Sequence, residues 1–288
     1  MRAAAVQLNS TQDRDRNLER ADRLTRAAAA DGARLIVLPE KFTVIGEHED
    51  YLAGAEPLDG PTLAWARETA RELGVDLVAG SFVERRPGRS KLSNTSVHVG
   101  PDGELQAVYR KIHMFDVVVG GVEYRESESE EAGEEIVLSR TAEGIPLGLT
   151  VCYDIRFPEL YRILALEGVR VFTIPSAFTT VTGRAHWELL IRARAIENQA
   201  FVVAAGQVGR HSADKESFGA SMIVDPWGEV LARAPDHSVE RAAECFVAAE
   251  LDVERQERIR QELPSLANRV PDAYRWPEPG VVAEPEHV

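Results

Sequence analysis

Cys152 is the residue of this sequence best placed for nucleophilic chemistry. It follows the apolar run GLTV at 148–151 and precedes YDIRFPEL, which turns sharply into a helix. Catalytic and ligand sites in α/β folds collect at the carboxyl ends of strands, whereas most free cysteines pack in the core like small hydrophobic residues. The other cysteine, Cys245, fits that core interpretation because it lies mid-strand in the apolar run AAECFVAAEL. The pattern therefore predicts that Cys152 ends its strand as a reactive thiol and that Cys245 is inert.

Two more polar side chains end apolar strands in the same way. Glu40 closes ARLIVLPE after a proline, and Lys111 lies at the end of the strand in LQAVYRKIH. Taken alone, Glu40 could be a solvated strand end and Lys111 a surface lysine. Together with Cys152 they suit acyl transfer, because a half-buried carboxylate can take the thiol proton. An ammonium, with the backbone N–H that follows the cysteine, can then stabilise the oxyanion of a tetrahedral intermediate.

The elements that must position these residues alternate between strands and helices. Periodicity predicts helices over residues 17–30, 61–73, 158–167 and 184–198. It predicts strands over residues 3–9, 33–40, 75–82, 93–100, 105–113, 135–139, 145–154, 169–178, 200–207, 219–228 and 242–252. The acidic segment 126–135 is predicted to be a loop. Because many strand runs are apolar throughout and so buried on both faces, two packed sheets with helices outside them are expected.

No linker divides the chain, so residues 1–262 are predicted to form one domain. Residues 263–288 are rich in proline and short of periodicity, and we expect this tail to pack on the surface or on a partner subunit. The net charge of −14 argues against nucleic-acid binding, which needs lysine and arginine to neutralise phosphates. Two cysteines form no disulfide framework, and no apolar run reaches the length of a membrane span. A cytoplasmic protein with no membrane partner is therefore expected.

Metal ions and cofactors are also not expected. The seven histidines show no paired ligand spacing, and no dinucleotide or phosphate-binding fingerprint occurs. GASMIV lacks the second glycine of a G-x-S-x-G elbow, so a serine hydrolase has little support. A papain-like arrangement would need His113 or His186 beside Cys152 and would explain neither Glu40 nor Lys111.

The motifs around the three residues resemble those of the nitrilase superfamily of carbon–nitrogen hydrolases. The resemblance is carried by LPE at 38–40, YRKIHMFD at 109–116 and VCYDIRFPEL at 151–160. It continues through PSAFTTVTGRAHWELLIRARAIENQAFVVAAGQVGRH at 175–211 and SFGASMIVDPWGEV at 217–230. The resemblance implies a Glu-Lys-Cys triad in this order and a four-layer αββα sandwich of two mixed sheets with helices on the outside. It also implies homodimers or higher homo-oligomers formed through the helix after the cysteine.

Further site residues follow from the same resemblance. Many members carry a second glutamate after the lysine, and Glu126 in EYRESES matches it. Alternatively, Glu126 is only the first residue of the acidic segment that follows it. The segment FDVVVGGVEYRE also departs from the family pattern: it is one residue shorter than usual and has Val118 where relatives often have an acidic residue. The backbone N–H of Tyr153 is the expected oxyanion donor. The other oxyanion or substrate-binding candidates are Ala177, Phe178, Arg156 and His186.

A substrate carboxylate would need a cation nearby. Arg156, Arg184 and Arg210 are the candidates, since a guanidinium pairs bidentately with a carboxylate. Each could equally pair with a structural glutamate. His186, which with Trp187 starts a predicted helix, is more simply a residue that shapes the pocket or the dimer contact than a proton-transfer group.

The substrate class rests on resemblance within the superfamily. The run at 175–211 and SMIVDPWG are most similar to deaminated-glutathione amidases, which implies cleavage of an amide between a 2-oxoglutarate unit and cysteinylglycine, a metabolite-repair reaction. ω-Amidases, which act on 2-oxoglutaramate, share the triad and the T-G-x-A-H-W-E-L-L segment. The ending QVGRH favours the first class. N-carbamoyl amino acid hydrolysis and an inactive interaction scaffold are the remaining alternatives, although scaffolds usually lack one triad residue.

Overall fold

Two mixed β-sheets packed face to face form the centre of the protein. The computed structural model describes residues 1–238 and 244–275. The strands are, in chain order, β1 (Arg2–Gln7), β2 (Leu35–Val37), β3 (Asp76–Val78), β4 (Phe82–Glu84), β5 (Ser93–Val99), β6 (Leu105–Arg110), β7 (Asp116–Val119), β8 (Val122–Arg125), β9 (Leu138–Arg140), β10 (Pro146–Leu149), β11 (Val171–Ser176), β12 (Phe201–Gly206), β13 (Val208–Arg210), β14 (Glu216–Phe218), β15 (Met222–Val224), β16 (Val230–Arg233) and β17 (Cys245–Glu250).

The first sheet has the order β17-β1-β2-β3-β5-β4, with β6 also paired to β5, and the second has the order β16-β15-β12-β11-β10-β9. Strands β1, β2 and β3 run parallel in the first sheet, as do β10, β11 and β12 in the second. β1 packs against β12 across the interface between the sheets. Parallel strands place their carboxyl ends at one edge of each sheet, where polar side chains can converge.

Helices cover the outer face of each sheet. In chain order the helices are α1 (Arg14–Ala30), α2 (His48–Gly54), α3 (Pro61–Leu73), α4 (Glu126–Ser129), α5 (Pro158–Leu166), α6 (Thr180–Asn198) and α7 (Val253–Glu262), and those packed on the sheets are α1, α3, α5 and α6. α1 and α3 bury small and aliphatic side chains against the first sheet. α5 and α6 do the same against the second, with Trp187 and Ile191 one turn apart. The predicted αββα fold class is confirmed.

Several element bounds differ from those predicted. The predicted strand over 75–82 is two strands, because Gly80 turns the backbone at φ +48° and a Cβ there would lie 2.0 Å from the carbonyl oxygen of Pro39. α1 and α6 begin earlier than predicted, at the N-caps Asp13 and Thr179. The acidic segment predicted as a loop opens with the short helix α4.

α7 was not predicted, since of its ten residues only Gln256 and Ile259 are buried and the apolar periodicity is weak. Residues 276–288 of the predicted tail lie outside the described residues. Within the described part of the chain, no helix is long and apolar enough to cross a membrane.

Candidate active site

Glu40, Lys111 and Cys152 converge at the edge where the parallel strands of both sheets end. Glu40 follows β2, Lys111 directly follows β6, and Cys152 begins a short 3-10 helix after β10. The expectation that each residue ends its strand is therefore corrected, because all three lie in the connections beyond. These connections are buried: the exposed fraction is 4% for Glu40, 2% for Lys111 and 8% for Cys152.

The carboxylate of Glu40 is held in place by donors from both sheets. Its Oε1 accepts from Lys111 Nζ at 3.1 Å and from Asn94 Nδ2 at 2.8 Å. Its Oε2 accepts from the backbone N–H of Ala177, which follows β11, at 2.9 Å. Fixed donors on both oxygens leave the side chain one orientation, and this rigidity suits a proton acceptor that must work at one position.

Lys111 lies between two carboxylates. Besides Glu40, its Nζ donates to Glu126 Oε2 at 2.7 Å and Oε1 at 3.0 Å. Burial opposes the charged lysine, but Glu126 and Glu40 outweigh it and raise the pKa of Lys111 well above its ordinary value. Burial likewise opposes ionised Glu126, yet Lys111 and Lys41 lower the pKa of Glu126 to about 2. Both groups are therefore charged at neutral pH.

A second buried lysine extends this network beyond what the sequence suggested. Lys41 Nζ lies 2.5 Å from Glu130 Oε1 and 3.3 Å from Glu126 Oε1, and 4.6 Å from the ring centroid of Tyr51. Burial dominates at Glu130 and, despite Lys41, raises its pKa to about 7. Lys41 could have been suspected because it directly follows Glu40. Nothing in the acidic run, however, distinguishes Glu130 from its neighbours.

Cys152 lies in a left-handed backbone conformation, at φ +47°. This conformation is rare for a residue other than glycine, and strain of this kind persists only where surrounding contacts hold it. Burial, together with the charge of Glu40, raises the pKa of the Cys152 thiol well above its ordinary value. The resting thiol is consequently protonated, and attack on a substrate requires a base beside it. Cys245 is half-buried at the start of β17 rather than mid-strand, outside the cavity lining.

The contacts that hold this turn centre on Asp154, which is completely buried. Its Oδ2 accepts from Tyr109 Oη at 2.6 Å and from the backbone N–H of Val151 at 2.8 Å. Its Oδ1 lies 2.8 Å from Nδ1 of His113, whose ring stacks on Phe157. Asp154 thus joins the turn that carries Cys152 to the segment that carries Lys111.

We expect Asp154→Asn to misplace the nucleophile. The amide presents a nitrogen to donors that need an acceptor, and unsatisfied buried groups of this kind cost about 1–3 kcal/mol each. Alkylation of Cys152 by iodoacetamide and kcat should both fall by roughly tenfold or more, since misplacement by 1 Å can cost about a hundredfold. Tyr109→Phe, which removes one donor and leaves the carboxylate, is the matched control and should change both less. Unchanged alkylation and kcat in a folded Asp154→Asn protein would contradict this role.

A cavity of about 810 Å³ opens over these residues, within the range typical of small-molecule sites. Its lining includes the predicted residues Glu40, Lys111, Glu126, Cys152, Tyr153, Ala177 and Phe178. It also includes residues that were not predicted, among them Lys41, Tyr51, Glu130, His211 and Lys215. Lys41 lies in the turn after β2, whereas the others lie in α2, directly after α4 and in the β13–β14 hairpin, none of which was predicted as an element.

The other predicted binding residues lie outside this lining. The Arg156 guanidinium lies 5.2 Å from the ring centroid of Phe178 and 5.9 Å from that of Tyr153, so it packs against two residues of the lining without lining the cavity itself. His186 is exposed, and its Nδ1 lies 3.3 Å from Arg156 Nη1. Arg184 and Arg210 are also exposed. Within residues 1–238 and 244–275, no group of three or more His, Cys, Asp or Glu side chains could hold a metal ion.

Comparison with known proteins finds relatives that match nearly the whole chain. A family model described as carbon-nitrogen hydrolase matches residues 2–261. A Bos taurus protein named deaminated glutathione amidase is 41% identical over 276 residues, covering 94% of this chain and 82% of the relative. A Danio rerio protein named omega-amidase NIT2 is 38% identical over 277 residues, covering 95% and 96%. The solved structure of Saccharomyces cerevisiae Nit3, described as a member of branch 10 of the nitrilase superfamily, superimposes with a TM-score of 0.82 at 33% identity, covering 92% of this chain and 94% of that one.

Proposed function

Because this chain belongs to the carbon–nitrogen hydrolase family, we propose that Glu40, Lys111 and Cys152 are its catalytic triad and that it cleaves deaminated glutathione to 2-oxoglutarate and cysteinylglycine. The enzyme is a carbon–nitrogen hydrolase, and its substrates are small-molecule amides. The observation that carries the triad is the convergence of a buried thiol with a raised pKa, a fixed carboxylate and a fixed ammonium in one cavity. These three groups together can carry out acyl transfer, and no structural role is evident for them in a cavity.

In the acylation half-reaction, Glu40 takes the proton of Cys152 as the sulfur attacks the amide carbon. A carbon–sulfur bond forms, and the carbonyl oxygen becomes an oxyanion stabilised by Lys111 Nζ and the backbone N–H of Tyr153. Glu40 then gives the proton to the amide nitrogen, the carbon–nitrogen bond breaks, and the amine leaves. Cys152, in its left-handed turn, lines the cavity that the substrate enters.

In the deacylation half-reaction, the same groups work on a water molecule. Glu40 takes a proton from water as its oxygen attacks the thioester carbon, and the second oxyanion occupies the same position. The carbon–sulfur bond breaks, the acid product leaves, and the proton passes from Glu40 to the thiolate. Glu126 keeps Lys111 charged and oriented through both of its oxygens, and Lys41 in turn neutralises Glu126.

The choice of deaminated glutathione rests on the names of relatives and on the size of the cavity. The bovine relative and several others carry that name, and a cavity of about 810 Å³ has room for an acyl group and a dipeptide leaving group. Arg156 is proposed to hold the carboxylate of the acyl part, since its guanidinium packs on two rings that line the cavity, those of Phe178 and Tyr153. His186 would orient Arg156 through their contact.

The second candidate is ω-amidase activity on 2-oxoglutaramate, favoured by the zebrafish relative of that name. The two substrates yield the same acyl-enzyme and differ in the leaving group. We expect kcat/KM for deaminated glutathione to exceed that for 2-oxoglutaramate by at least about tenfold, measured as 2-oxoglutarate release. The reverse order would make the protein an ω-amidase. If neither substrate is hydrolysed, both assignments are refuted, and N-carbamoyl amino acids are the next substrates to test.

The assembly is proposed to be a homodimer formed through α5 and α6. Five aliphatic side chains on these helices are exposed by 44–68%: Ile163, Leu166, Val181, Leu189 and Ile196. Exposed apolar residues grouped on adjacent helices are typical of interaction surfaces. The molar mass in light scattering tests this, and a monomer at micromolar concentration would refute it.

Residues 1–262 are proposed to act as one domain, and the two free cysteines support a reducing, cytoplasmic environment.

A further inference from the structure

Lysine is rare in this sequence, and three of its four lysines line the catalytic cavity. The 33 lysine and arginine residues include only Lys41, Lys91, Lys111 and Lys215 as lysines, and all but Lys91 lie in the cavity lining. Lys41 and Lys111 are already engaged by buried glutamates. Lys215 has no role in the triad or in the network around it, so its presence in the cavity needs its own explanation.

The pairing of Lys215 differs from that of the two buried lysines. Its Nζ donates to the carbonyl oxygen of Gly46 and lies 3.5 Å from Glu47 Oε2. The side chain of Glu47 is 61% exposed, so water screens this pair strongly. An ammonium has three protons. Since the Gly46 carbonyl and the screened Glu47 take two of these protons, Lys215 can still bind an incoming carboxylate with the third.

Lys215 lies beyond Lys41 when contacts are followed outward from the triad. Lys111 contacts Glu126, Glu126 contacts Lys41, and Lys41 lies over the Tyr51 ring. The Nζ of Lys215 lies 5.0 Å from the centroid of the same ring. Arg156 instead contacts the rings of Phe178 and Tyr153. Besides Lys41, Lys111 and Arg125, which are paired with glutamates, the cavity therefore has one cation packed on its aromatic wall and another past Tyr51.

The loop that carries Lys215 is held in shape by His211. The backbone N–H of His211 donates to the carbonyl oxygen of Lys215 at 2.9 Å, which closes the loop. His211 Nδ1 lies 2.7 Å from the carbonyl oxygen of Ser10, an acceptor only, so Nδ1 is the donor and Nε2 accepts from Ser217 Oγ at 2.9 Å. Burial lowers the pKa of His211 to about 4, and the ring stays neutral. A lysine on such a loop is pre-positioned, which reduces the entropy lost on binding.

We propose that Lys215 binds a carboxylate on the leaving-group side of the substrate. It would so select amides whose amine part is a dipeptide with a free C-terminal carboxylate. The inference rests on the proposed function and deepens it. In deaminated glutathione the bound group is the glycine carboxylate, which an extended dipeptide carries about 7 Å from the scissile bond. 2-Oxoglutaramate releases ammonia and offers no such group. Lys215 thereby distinguishes the two candidate substrates.

The test compares deaminated glutathione with its C-terminal glycinamide, which lacks only the carboxylate. The native enzyme should prefer the acid by at least about tenfold in kcat/KM, and Lys215→Gln should remove most of this preference, chiefly through KM. Lys215→Arg keeps the charge and should restore the preference in part. Arg210→Gln is the matched control, because Arg210 is an exposed cation on the same hairpin, outside the cavity lining.

The outcomes separate this inference from the proposed function. If the native enzyme hydrolyses deaminated glutathione and Lys215→Gln keeps the native preference for the acid over the glycinamide, the role of Lys215 is refuted and the proposed function stands. If the native enzyme does not hydrolyse deaminated glutathione, the proposed function fails, and the inference fails with it. Loss of the preference in Lys215→Gln but not in Arg210→Gln supports the inference.

Discussion

The Cys152→Ala protein is expected to lose amide hydrolysis, with kcat lowered on the order of 10⁵-fold or more. The two groups proposed to act beside it are not available as nucleophiles: Glu40 is engaged through both oxygens, and Lys111 is charged and paired. The site should accommodate alanine about as well as cysteine, because both residues carry a Cβ and the surrounding contacts already hold the backbone in the left-handed conformation. The variant should therefore fold, and release of 2-oxoglutarate from deaminated glutathione measures the loss.

Cys245→Ala is the matched control for this substitution. Cys245 lies in β17 and does not line the cavity, so its loss should leave kcat within about twofold. Thermal unfolding of both variants checks that neither has lost its fold. Residual turnover in Cys152→Ala well above the uncatalysed rate, in protein free of the native enzyme, would exclude Cys152 as the nucleophile.

Lys111→Met is expected to be the second most damaging substitution. Loss of one oxyanion donor lowers kcat by about 10²–10³-fold, and here the same lysine also holds Glu40. Methionine fills the buried space but leaves Glu40 and Glu126 facing each other without the shared cation. Removing one partner of a buried ion pair costs about 3–5 kcal/mol of stability. Both kcat and the free energy of unfolding should therefore fall, measured by steady-state kinetics and denaturant titration.

A double substitution separates the two effects. In Lys111→Met/Glu126→Gln a neutral amide replaces one of the two facing carboxylates, so much of the lost free energy of unfolding should return. The rate should not return, because the oxyanion donor is still missing. Recovery of kcat together with stability would show that Lys111 acts only by holding the fold. Lys91→Met, at an exposed position outside the cavity lining, removes a hydrogen bond to the Ser127 carbonyl oxygen and should lower both quantities far less than Lys111→Met.

The layers of the fold and the convergence of Glu40, Lys111 and Cys152 could be predicted from the sequence because both depend on short-range patterns. Apolar runs such as GLTV identify strands buried on both faces, and the polar residue that follows each run must lie at the sheet edge. The predictions of secondary structure were wrong mainly at short polar elements. The β7–β8 hairpin around Gly120 and Gly121 was missed because its strands are short and mostly solvent-exposed.

The outer part of the site could not be predicted for a related reason. Lys41 and Glu130 are 89 residues apart and have no separate motif, so only the packing of α4 against the turn after β2 shows that they form a pair. Lys215 likewise reaches the cavity because its hairpin folds beside Gly46. Arg184 and Arg210 seemed equivalent to Arg156 in sequence, and the structure separates them, because Arg156 packs against the rings of two residues that line the cavity and the other two are exposed.

The most direct test of the account is detection of the acyl-enzyme on Cys152. Native protein mixed with deaminated glutathione, quenched in acid within milliseconds and digested, should give a peptide containing Cys152 whose mass is increased by one 2-oxoglutaryl group. The same peptide should appear with 2-oxoglutaramate, since both substrates give one thioester, and Cys245 should remain unmodified. Turnover that proceeds with no adduct at any quench time, or an adduct on a residue other than Cys152, would contradict the thioester mechanism.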